Sequence, residues 1–195
     1  MQWSLIRGEE KTGVSAFWLE EGLDSGPIAH HMSVDIAPHD DVVSLQEKLV
    51  PLGLKTLEQV MTDVASGKIV KEPQQGIASL APQLKKEDGV LDWSASARDI
   101  VNLVRGVRKW PGATTKFQPS DSPSKLLKVY SATVESDHAT HGNPGTLLDV
   151  SKSGIVVAAA KGEVRLVTVQ PEGKKEMSAW DFWQGAHLKI GDHLG

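Results

Sequence analysis

Cysteine is absent from the sequence, which excludes disulfide bonds, thiol catalysis and any zinc or iron–sulfur site built on cysteine. Long apolar runs are absent too, since no stretch reaches the ~20 residues that a membrane-spanning helix requires. The first residues, 1–8, lack the basic start and the long apolar core of a secretory signal peptide. We therefore expect a soluble, cytoplasmic protein with no membrane partner.

The composition is that of an ordinary globular protein. Hydrophobic residues make up 39% of the 195 residues and charged residues 24%, which argues against disorder, collagen and coiled coil. The net charge of −4 is unevenly spread: residues 1–84 hold 6 Lys and Arg against 12 Asp and Glu, whereas residues 85–195 hold 15 against 13. This imbalance slightly favours a second part that meets an anion over a merely mixed surface.

The first part of the chain predicts two strands followed by a long helix. The expected elements are a strand at 14–19, a glycine-rich loop at 20–27, a strand at 28–36 and a helix from 42 to 64. Asp40 and Asp41 supply the N-cap of that helix, and Pro51 is expected to kink it or to break it in two. Two strands and a helix cannot form a complete layered α/β domain, so we interpret this part as the end of a larger one.

The rest of the chain predicts a linker and a small all-β domain. Residues 68–84 contain two prolines and show no sustained periodicity, which is typical of a linker. Ser94 is expected to cap a helix whose apolar face is Ala97, Ile100, Val101 and Val104, and Ser178 to cap a final short helix. Short strands are expected at 114–117, 126–134, 146–150, 154–160 and 163–169. Strands this short and this close together predict a barrel of the oligonucleotide-binding (OB) type.

Asp24 is a candidate for chemistry because it lies in the glycine-rich loop between two predicted strands. A carboxylate there can orient a histidine or relay a proton, although the pattern alone favours a turn aspartate that bonds to its own backbone. His30 and His31 do not predict a metal site, because neighbouring residues of a strand point to opposite faces. Ser15 has no G-x-S-x-G motif around it, and the sequence has no phosphate-binding glycine loop.

Basic residues are concentrated in the second part of the chain. If several share one face they would contact a phosphate backbone, the alternative being a solvated mixed surface. These residues are Lys85, Lys86, Arg98, Arg105, Arg108, Lys109, Lys116, Lys125, Lys128, Lys174 and Lys175. Tryptophans at 93, 110, 180 and 183 could stack on bases, although core packing is their usual role.

Several motifs occur in one order along nearly the whole chain. They are Gln2-Trp3 with Ile6 and Gly8; Lys11-Thr12-Gly13-Val14-Ser15 followed by Gly22-Leu23-Asp24-Ser25-Gly26; residues 80–89 with Leu91-Asp92-Trp93-Ser94; residues 105–111; and residues 170–179. As an ordered set they resemble the methionyl-tRNA formyltransferase family. The last motif, Q-P-x-G-K-K-x-M-S-A, favours this family over relatives that deformylate folate or formylate sugars.

The resemblance implies a fold that is α/β plus all-β. Residues 1–67 would be the C-terminal part of a doubly wound formyltransferase domain, residues 68–88 a linker, and residues 89–195 an OB-like tRNA-binding barrel. The implied reaction moves a formyl group from 10-formyltetrahydrofolate to the amino group of methionyl initiator tRNA in translation initiation. It implies no metal and no DNA partner.

The resemblance also assigns residues to roles. Asp24 falls on the family's catalytic aspartate and is expected to project into the pocket of the one-carbon donor. The implied folate-binding residues are Glu20, Glu21, Gly22, Leu23, Ser25 and Gly26. The implied tRNA-binding residues are Lys85, Lys86, Arg105, Arg108, Lys109, Lys174 and Lys175.

The sequence departs from the family pattern at its start. The family's catalytic Asn and His belong to a stretch that would precede Gln2, so we expect this polypeptide to be inactive alone while still contacting tRNA. Whether it is a truncated form, a natural short product or a piece of a longer protein stays open. Two other functions also stay open: a 10-formyltetrahydrofolate hydrolase or amino-sugar formyltransferase, and a non-catalytic RNA-binding module.

Overall fold

The computed structural model describes residues 1–118, 123–138 and 141–195. The helices are α1 (Gln2–Ile6), α2 (Val42–Ala65), α3 (Ala97–Val107) and α4 (Ala179–Ala186), with a 3-10 turn at Lys86–Gly89. The strands are β1 (Lys11–Phe17), β2 (Ile28–Asp35), β3 (Ala113–Phe117), β4 (Lys125–Ser136), β5 (Leu147–Ser151), β6 (Gly154–Ala158), β7 (Glu163–Pro171) and β8 (Met177–Ser178). Internal contacts divide these residues into two units: Met1 with residues 9–82, and residues 2–8 with residues 83–195.

In the unit of residues 9–82, β1 and β2 form a two-stranded antiparallel sheet, and α2 packs on both strands. The predicted strands and helix are confirmed to within three residues at each end. Asp41 caps α2 as predicted, since its carboxylate accepts the backbone N–H groups of Val43 and Ser44 at 2.7 and 3.0 Å. The Ser44 hydroxyl accepts the Asp41 N–H at 3.1 Å in return, which completes a capping box.

Of the two outcomes expected at Pro51, the break is wrong, because α2 runs without interruption from Val42 to Ala65, and the kink stays a prediction. Proline removes one helical hydrogen bond and crowds the preceding turn. Pro51 is exposed, and so is Glu47, whose carbonyl group loses its helical partner and can bind water instead. The helix therefore tolerates the proline at this position.

The outer face of α2 carries a row of exposed apolar side chains, which we call the α2 stripe. They recur at the spacing that places residues on one side of a helix. Their exposed fractions are Val50 55%, Leu54 60%, Leu57 56%, Met61 63% and Val64 42%. Within residues 9–82, all of which the structure describes, Val42 and Leu45 are the fully buried apolar side chains.

The unit of residues 83–195 is built on one antiparallel sheet in the order β3-β4-β7-β6-β5, with β8 paired to β7. The expected strands are confirmed, with ends shifted by one or two residues. Helices α3 and α4 pack on the sheet, and the rings of Phe117 and Phe182 meet edge to face with centroids 5.0 Å apart. A continuous cluster of buried apolar side chains fills the space between the layers.

The apolar face of α3 is confirmed, but its predicted cap is wrong. Ser96, not Ser94, caps the helix, and its hydroxyl accepts the backbone N–H of Asp99 at 3.1 Å. Ser94 instead donates its hydroxyl to the Asp92 carboxylate at 2.6 Å. Because Asp92 holds Ser94 in a side-chain turn, the helix begins two residues later.

The described strands form an open sheet, with no ladder between its edge strands β3 and β5. Each edge instead makes one isolated bridge to the C-terminal tail: Phe117 pairs with Leu194, and Thr146 pairs with His193. The described residues thus include the expected α/β part and β-rich part, and strand pairing among them does not close a barrel. None of the described helices is long and apolar enough to cross a membrane.

Candidate functional site

The loop between β1 and β2, residues 18–27, carries Asp24 and is called the Asp24 loop here. Asp24 has a φ of +50°, in the left-handed region that aspartate enters more readily than most non-glycine residues. Its side chain is exposed. The predicted role of Asp24, including its projection into a donor pocket, stays a prediction.

Gly26 closes the neck of this loop. A Cβ atom at this position would lie 1.7 Å from the carbonyl oxygen of Trp18, so no other residue fits without moving the backbone. The backbone N–H of Trp18 donates to the carbonyl of Pro27 at 2.9 Å, across the same neck. The glycine therefore lets the two ends of the loop approach closely.

Residues 70–74, within the predicted linker, run alongside the Asp24 loop and are called the strap. The Trp18 indole N–H donates to the Val70 carbonyl at 2.8 Å. Ile28 and Glu72 exchange two backbone hydrogen bonds of 2.7 and 2.9 Å. The Gln74 side chain donates to the backbone carbonyls of Asp24 and Gly26 at 2.7 and 2.8 Å. The strap therefore holds the loop at Trp18, Asp24 and Gly26, and it holds the start of β2 at Ile28.

The residues expected to bind folate lie around Asp24 on this loop. Glu20, Glu21, Gly22, Leu23 and Ser25 are exposed, whereas Gly26 is buried at the neck. Leu23 is 95% exposed, so the loop presents an apolar tip beside carboxylates. Such a surface can contact a flat aromatic ligand and its polar edge, and the folate assignment itself stays a prediction.

The histidines of β2 are held apart by the strand. His30 pairs with Ala16 and His31 with Ser15, so their side chains point to opposite sides of the sheet. Among the described residues, no group of three or more His, Asp or Glu side chains is arranged to hold a metal ion.

One carboxylate of this unit is buried, and its surroundings indicate a structural role. Asp40 is 1% exposed at the start of α2, where it accepts hydrogen bonds from Lys48, the Ala37 N–H and Ser44. Burial raises the pKa of the Asp40 carboxyl, but these bonds and the Lys48 charge outweigh burial and leave that pKa below its usual value. Asp40 is therefore a charged anchor for the helix.

The residues expected to bind tRNA lie in the unit of residues 83–195. Lys85 and Lys86 are exposed at the 3-10 turn, Arg108 and Lys109 are exposed just after α3, and Arg105 is half-buried on α3. The Trp110 indole donates to the Leu84 carbonyl at 3.4 Å, which brings the segments of Lys85 and Lys109 together. These residues therefore share one region of the unit.

Lys174 and Lys175 occupy a different place, the exposed turn between β7 and β8. Next to this turn is an open cavity of about 210 Å³, lined by Leu126, Lys128, Gln170, Pro171, Glu172 and Gly173. Lys128, one of the basic residues concentrated in this part of the chain, alternates with buried Leu127 and Val129 and is exposed beside this turn. The contact of Gln74 with the Asp24 loop was not predicted, because nothing local in the sequence links the two.

Comparison with known proteins places these features in context. Two family models match the chain: "Formyl transferase, C-terminal domain" over residues 83–187 and "Formyl transferase" over residues 1–61. Over its whole length the chain is 37% identical to the methionyl-tRNA formyltransferase of Geobacter metallireducens and, likewise, 35% identical to that of Pelotomaculum thermopropionicum. It spans 60% and 61% of the lengths of these curated relatives.

Solved structures share the fold at lower sequence identity. HypX from Aquifex aeolicus, in complex with tetrahydrofolic acid, matches 100% of this chain with a TM-score of 0.64 and 15% identity. The match covers 35% of HypX. This likeness concerns the fold alone.

Proposed function

Because the chain belongs to the formyl transferase family, we propose that it forms part of a methionyl-tRNA formyltransferase. The observation that carries this proposal is the identity of 37% and 35% to two such enzymes over the whole chain. The proposed enzyme transfers a formyl group from 10-formyltetrahydrofolate to methionyl initiator tRNA, without a metal. A role in translation initiation would put it in the cytoplasm.

In the proposed reaction the methionyl amine attacks the formyl carbon, and the carbonyl oxygen becomes an oxyanion. The new C–N bond stays, the bond from the formyl carbon to the folate nitrogen breaks, and the proton lost by the amine goes to the tetrahydrofolate that leaves. We propose that the Asp24 carboxylate orients a histidine of the same enzyme and helps to move this proton. The open position of Asp24 on its loop supports access by a substrate.

We propose that the Asp24 loop contacts the folate donor through Glu20, Glu21, Gly22, Leu23, Ser25 and Gly26. The exposed apolar tip at Leu23 supports this, since a pterin ring needs an apolar surface to lie on. The tetrahydrofolic acid bound to HypX is consistent with a folate donor and says nothing about which residues contact it.

For the tRNA we propose contacts from Lys85, Lys86, Arg105, Arg108, Lys109, Lys174 and Lys175. The exposure of most of these side chains and the Leu84–Trp110 hydrogen bond support a basic surface. Each phosphate that a basic residue neutralises adds about 0.9 to the slope of log affinity against log salt concentration.

The domain organisation is proposed as follows: the end of the formyltransferase domain at 1–67, a linker at 68–88 and an OB-like domain at 89–195. The two bridges from the C-terminal tail to Phe117 and Thr146 support a barrel that the tail completes. The division of contacts near residue 82 supports a boundary within the proposed linker.

The test is binding of methionyl initiator tRNA and of 5-formyltetrahydrofolate, a stable formyl folate, to the 195-residue chain. The double variant Lys85→Ala/Lys86→Ala should weaken tRNA binding and flatten its salt dependence, whereas Lys152→Ala/Lys189→Ala, an equal charge change at exposed positions, should not. Folate binding without tRNA binding would favour a hydrolase or an amino-sugar formyltransferase. Conversely, tRNA binding without folate binding would favour an RNA-binding module.

A further inference from the structure

Gln74 uses both of its amide N–H bonds on the Asp24 loop, from a position 50 residues further along the chain than Asp24. One N–H donates to the Asp24 carbonyl at 2.7 Å and the other to the Gly26 carbonyl at 2.8 Å. Both partners are carbonyl oxygens, which only accept hydrogen bonds, so the amino group and not the amide oxygen must face them. Gln74 therefore bridges two carbonyls on either side of Ser25.

The apex of the loop depends on such a bridge. Residues 19–25 are all exposed, so burial does little to hold them. Asp24 has a positive φ, a conformation that side chains other than glycine adopt at an energetic cost and that surrounding contacts must maintain. Fixing the carbonyl of Asp24 fixes the peptide plane that follows it, and with it the direction in which the Asp24 side chain leaves the backbone.

Gln74 is itself held in register by the strap. Val70 and Glu72 bond to Trp18 and Ile28, so contacts to the loop fall on residues 70, 72 and 74. The first two contacts are made by backbone atoms of the strap, and they keep the chain beside the loop at the positions four and two residues before Gln74.

From this geometry we infer that Gln74 is a positioning residue, which through its two hydrogen bonds holds Asp24 in the conformation that the formyl-transfer site uses. The inference rests on the proposed function of Asp24. It gives the strap a part in forming the donor site, beyond joining the two units of the chain.

The test compares three variants of the 195-residue chain. Gln74→Glu keeps the shape of the side chain but sets an acceptor against two carbonyls, and Gln74→Met removes both donors without adding charge. Gln75→Glu adds the same charge at the adjacent exposed position and serves as the control. Circular dichroism and the amide-exchange protection of α2 and of the β1–β2 sheet check that the unit of residues 9–82 is folded in each variant.

The first measurement is the backbone order parameter of residues 22–26 by ¹⁵N relaxation. In the unsubstituted chain and in Gln75→Glu we expect values near the ~0.85 of rigid backbone, and in both Gln74 variants values below ~0.6. Lowering the pH should partly restore order in Gln74→Glu alone, because a protonated glutamic acid regains one donor. Unchanged order in both Gln74 variants, or an absence of this pH rescue, would overturn the inference.

The second measurement is the affinity for 5-formyltetrahydrofolate. We expect the Gln74 variants to bind it about tenfold more weakly, the factor for a net loss of ~1.4 kcal/mol from two hydrogen bonds, and Gln75→Glu to bind as before. Unaltered affinity in disordered Gln74 variants would contradict the inference. If the unsubstituted chain binds no formyl folate while its loop order responds to Gln74 as described, the proposed donor loop is wrong and the role of Gln74 in holding Asp24 stands.

Discussion

Each unit contains a helix with apolar side chains, and these side chains have different surroundings in the two units. In α3, the apolar residues Ile100, Val104 and Val107 are at most 2% exposed, because the helix packs on a broad sheet. In α2, the α2 stripe remains more than two-fifths exposed, because two strands cover only one side of the helix. Helical periodicity in the sequence shows which residues can be buried. Whether they are buried depends on how much of the helix a second layer of structure covers.

The units also differ in the kind of contact that holds them. Residues 83–195 depend on a continuous apolar core. Residues 9–82 have few buried apolar side chains, and directional polar contacts at Asp40, Asp41, Trp18 and Gln74 fix their elements instead. We therefore expect core substitutions to matter most in one unit and hydrogen-bond substitutions to matter most in the other.

The largest expected effect on stability comes from replacing a leucine with alanine, and the same replacement in the other unit is the comparison. Leu127→Ala, at a site on β4 that is 0% exposed, should lower the free energy of unfolding by about 2–5 kcal/mol. Leu57→Ala, in the α2 stripe at 56% exposed, should change it by no more than ~0.5 kcal/mol. Urea unfolding followed by amide exchange in each unit measures both, and a large loss from Leu57→Ala would show that the stripe is covered in solution.

The next largest effect on stability is expected at Asp40, the charged anchor of the unit of residues 9–82. Asp40→Asn should destabilise this unit by about 1–3 kcal/mol, since it weakens charged hydrogen bonds at a buried site. Asp35→Asn is the control, because Asp35 pairs with Lys11 at 3.6 Å in an exposed ion pair. Equal effects of the two substitutions would contradict the anchoring role.

The same anchor predicts a pH dependence. The pKa of Asp40 is lowered in the folded chain, so its contribution is fully present above the unfolded value of 3.8 and is lost as pH falls through the folded pKa. The protection of the α2 amides, measured as the exchange rate relative to the intrinsic rate at each pH, should fall at the acid end between pH 6 and pH 3 in the unsubstituted chain. Asp40→Asn should flatten this acid response.

Much of the fold follows from local patterns in the sequence. Short runs separated by turn residues predict β3 to β7, and helical spacing predicts α2 and the buried face of α3. Ser94 and Ser96 both precede the helix and both have an aspartate nearby, so only the turn at Asp92 decides which serine is the cap. The five residues of α1 are too few for a periodic pattern, and their close contact with α3, where a Cβ at Gly106 would lie 2.6 Å from Ile6, is a tertiary feature.

Local sequence patterns likewise predict one part of the candidate site and not the other. Glycines and an aspartate between two strands locate the Asp24 loop, because turn residues act over a few positions. The contact between Gln74 and Asp24 spans 50 residues and follows no periodic rule. The sequence of the strap therefore resembles that of an ordinary linker. The separation of Lys174 from Lys85 likewise depends on strand order.

A smaller effect tests the corrected helix cap. Ser96→Ala should lower the free energy of unfolding by ~1 kcal/mol, because it leaves the Asp99 N–H without its capping acceptor. Ser94→Ala, which affects only the side-chain turn at Asp92, should cost less than half of that. If Ser94→Ala lowered the free energy of unfolding in urea more than Ser96→Ala, Ser94 would be the N-cap of α3.

The smallest effects should come from surface ion pairs, and these again separate the units. Arg165 contacts Glu135 at 2.7 Å and also donates to the hydroxyls of Ser151 and Ser153, which connects several strand segments. The hydrogen bond and charge of Arg165 lower the pKa of Glu135 despite its partial burial. Glu135→Gln should therefore lower the free energy of unfolding by up to ~1 kcal/mol. Lys11→Ala, which removes the isolated pair with Asp35, should leave it almost unchanged. Raising the salt concentration should reduce the difference in stability between these variants, because salt screens exposed charges. A difference that grows with salt would mean that the Arg165 contacts do not stabilise the unit through their charges.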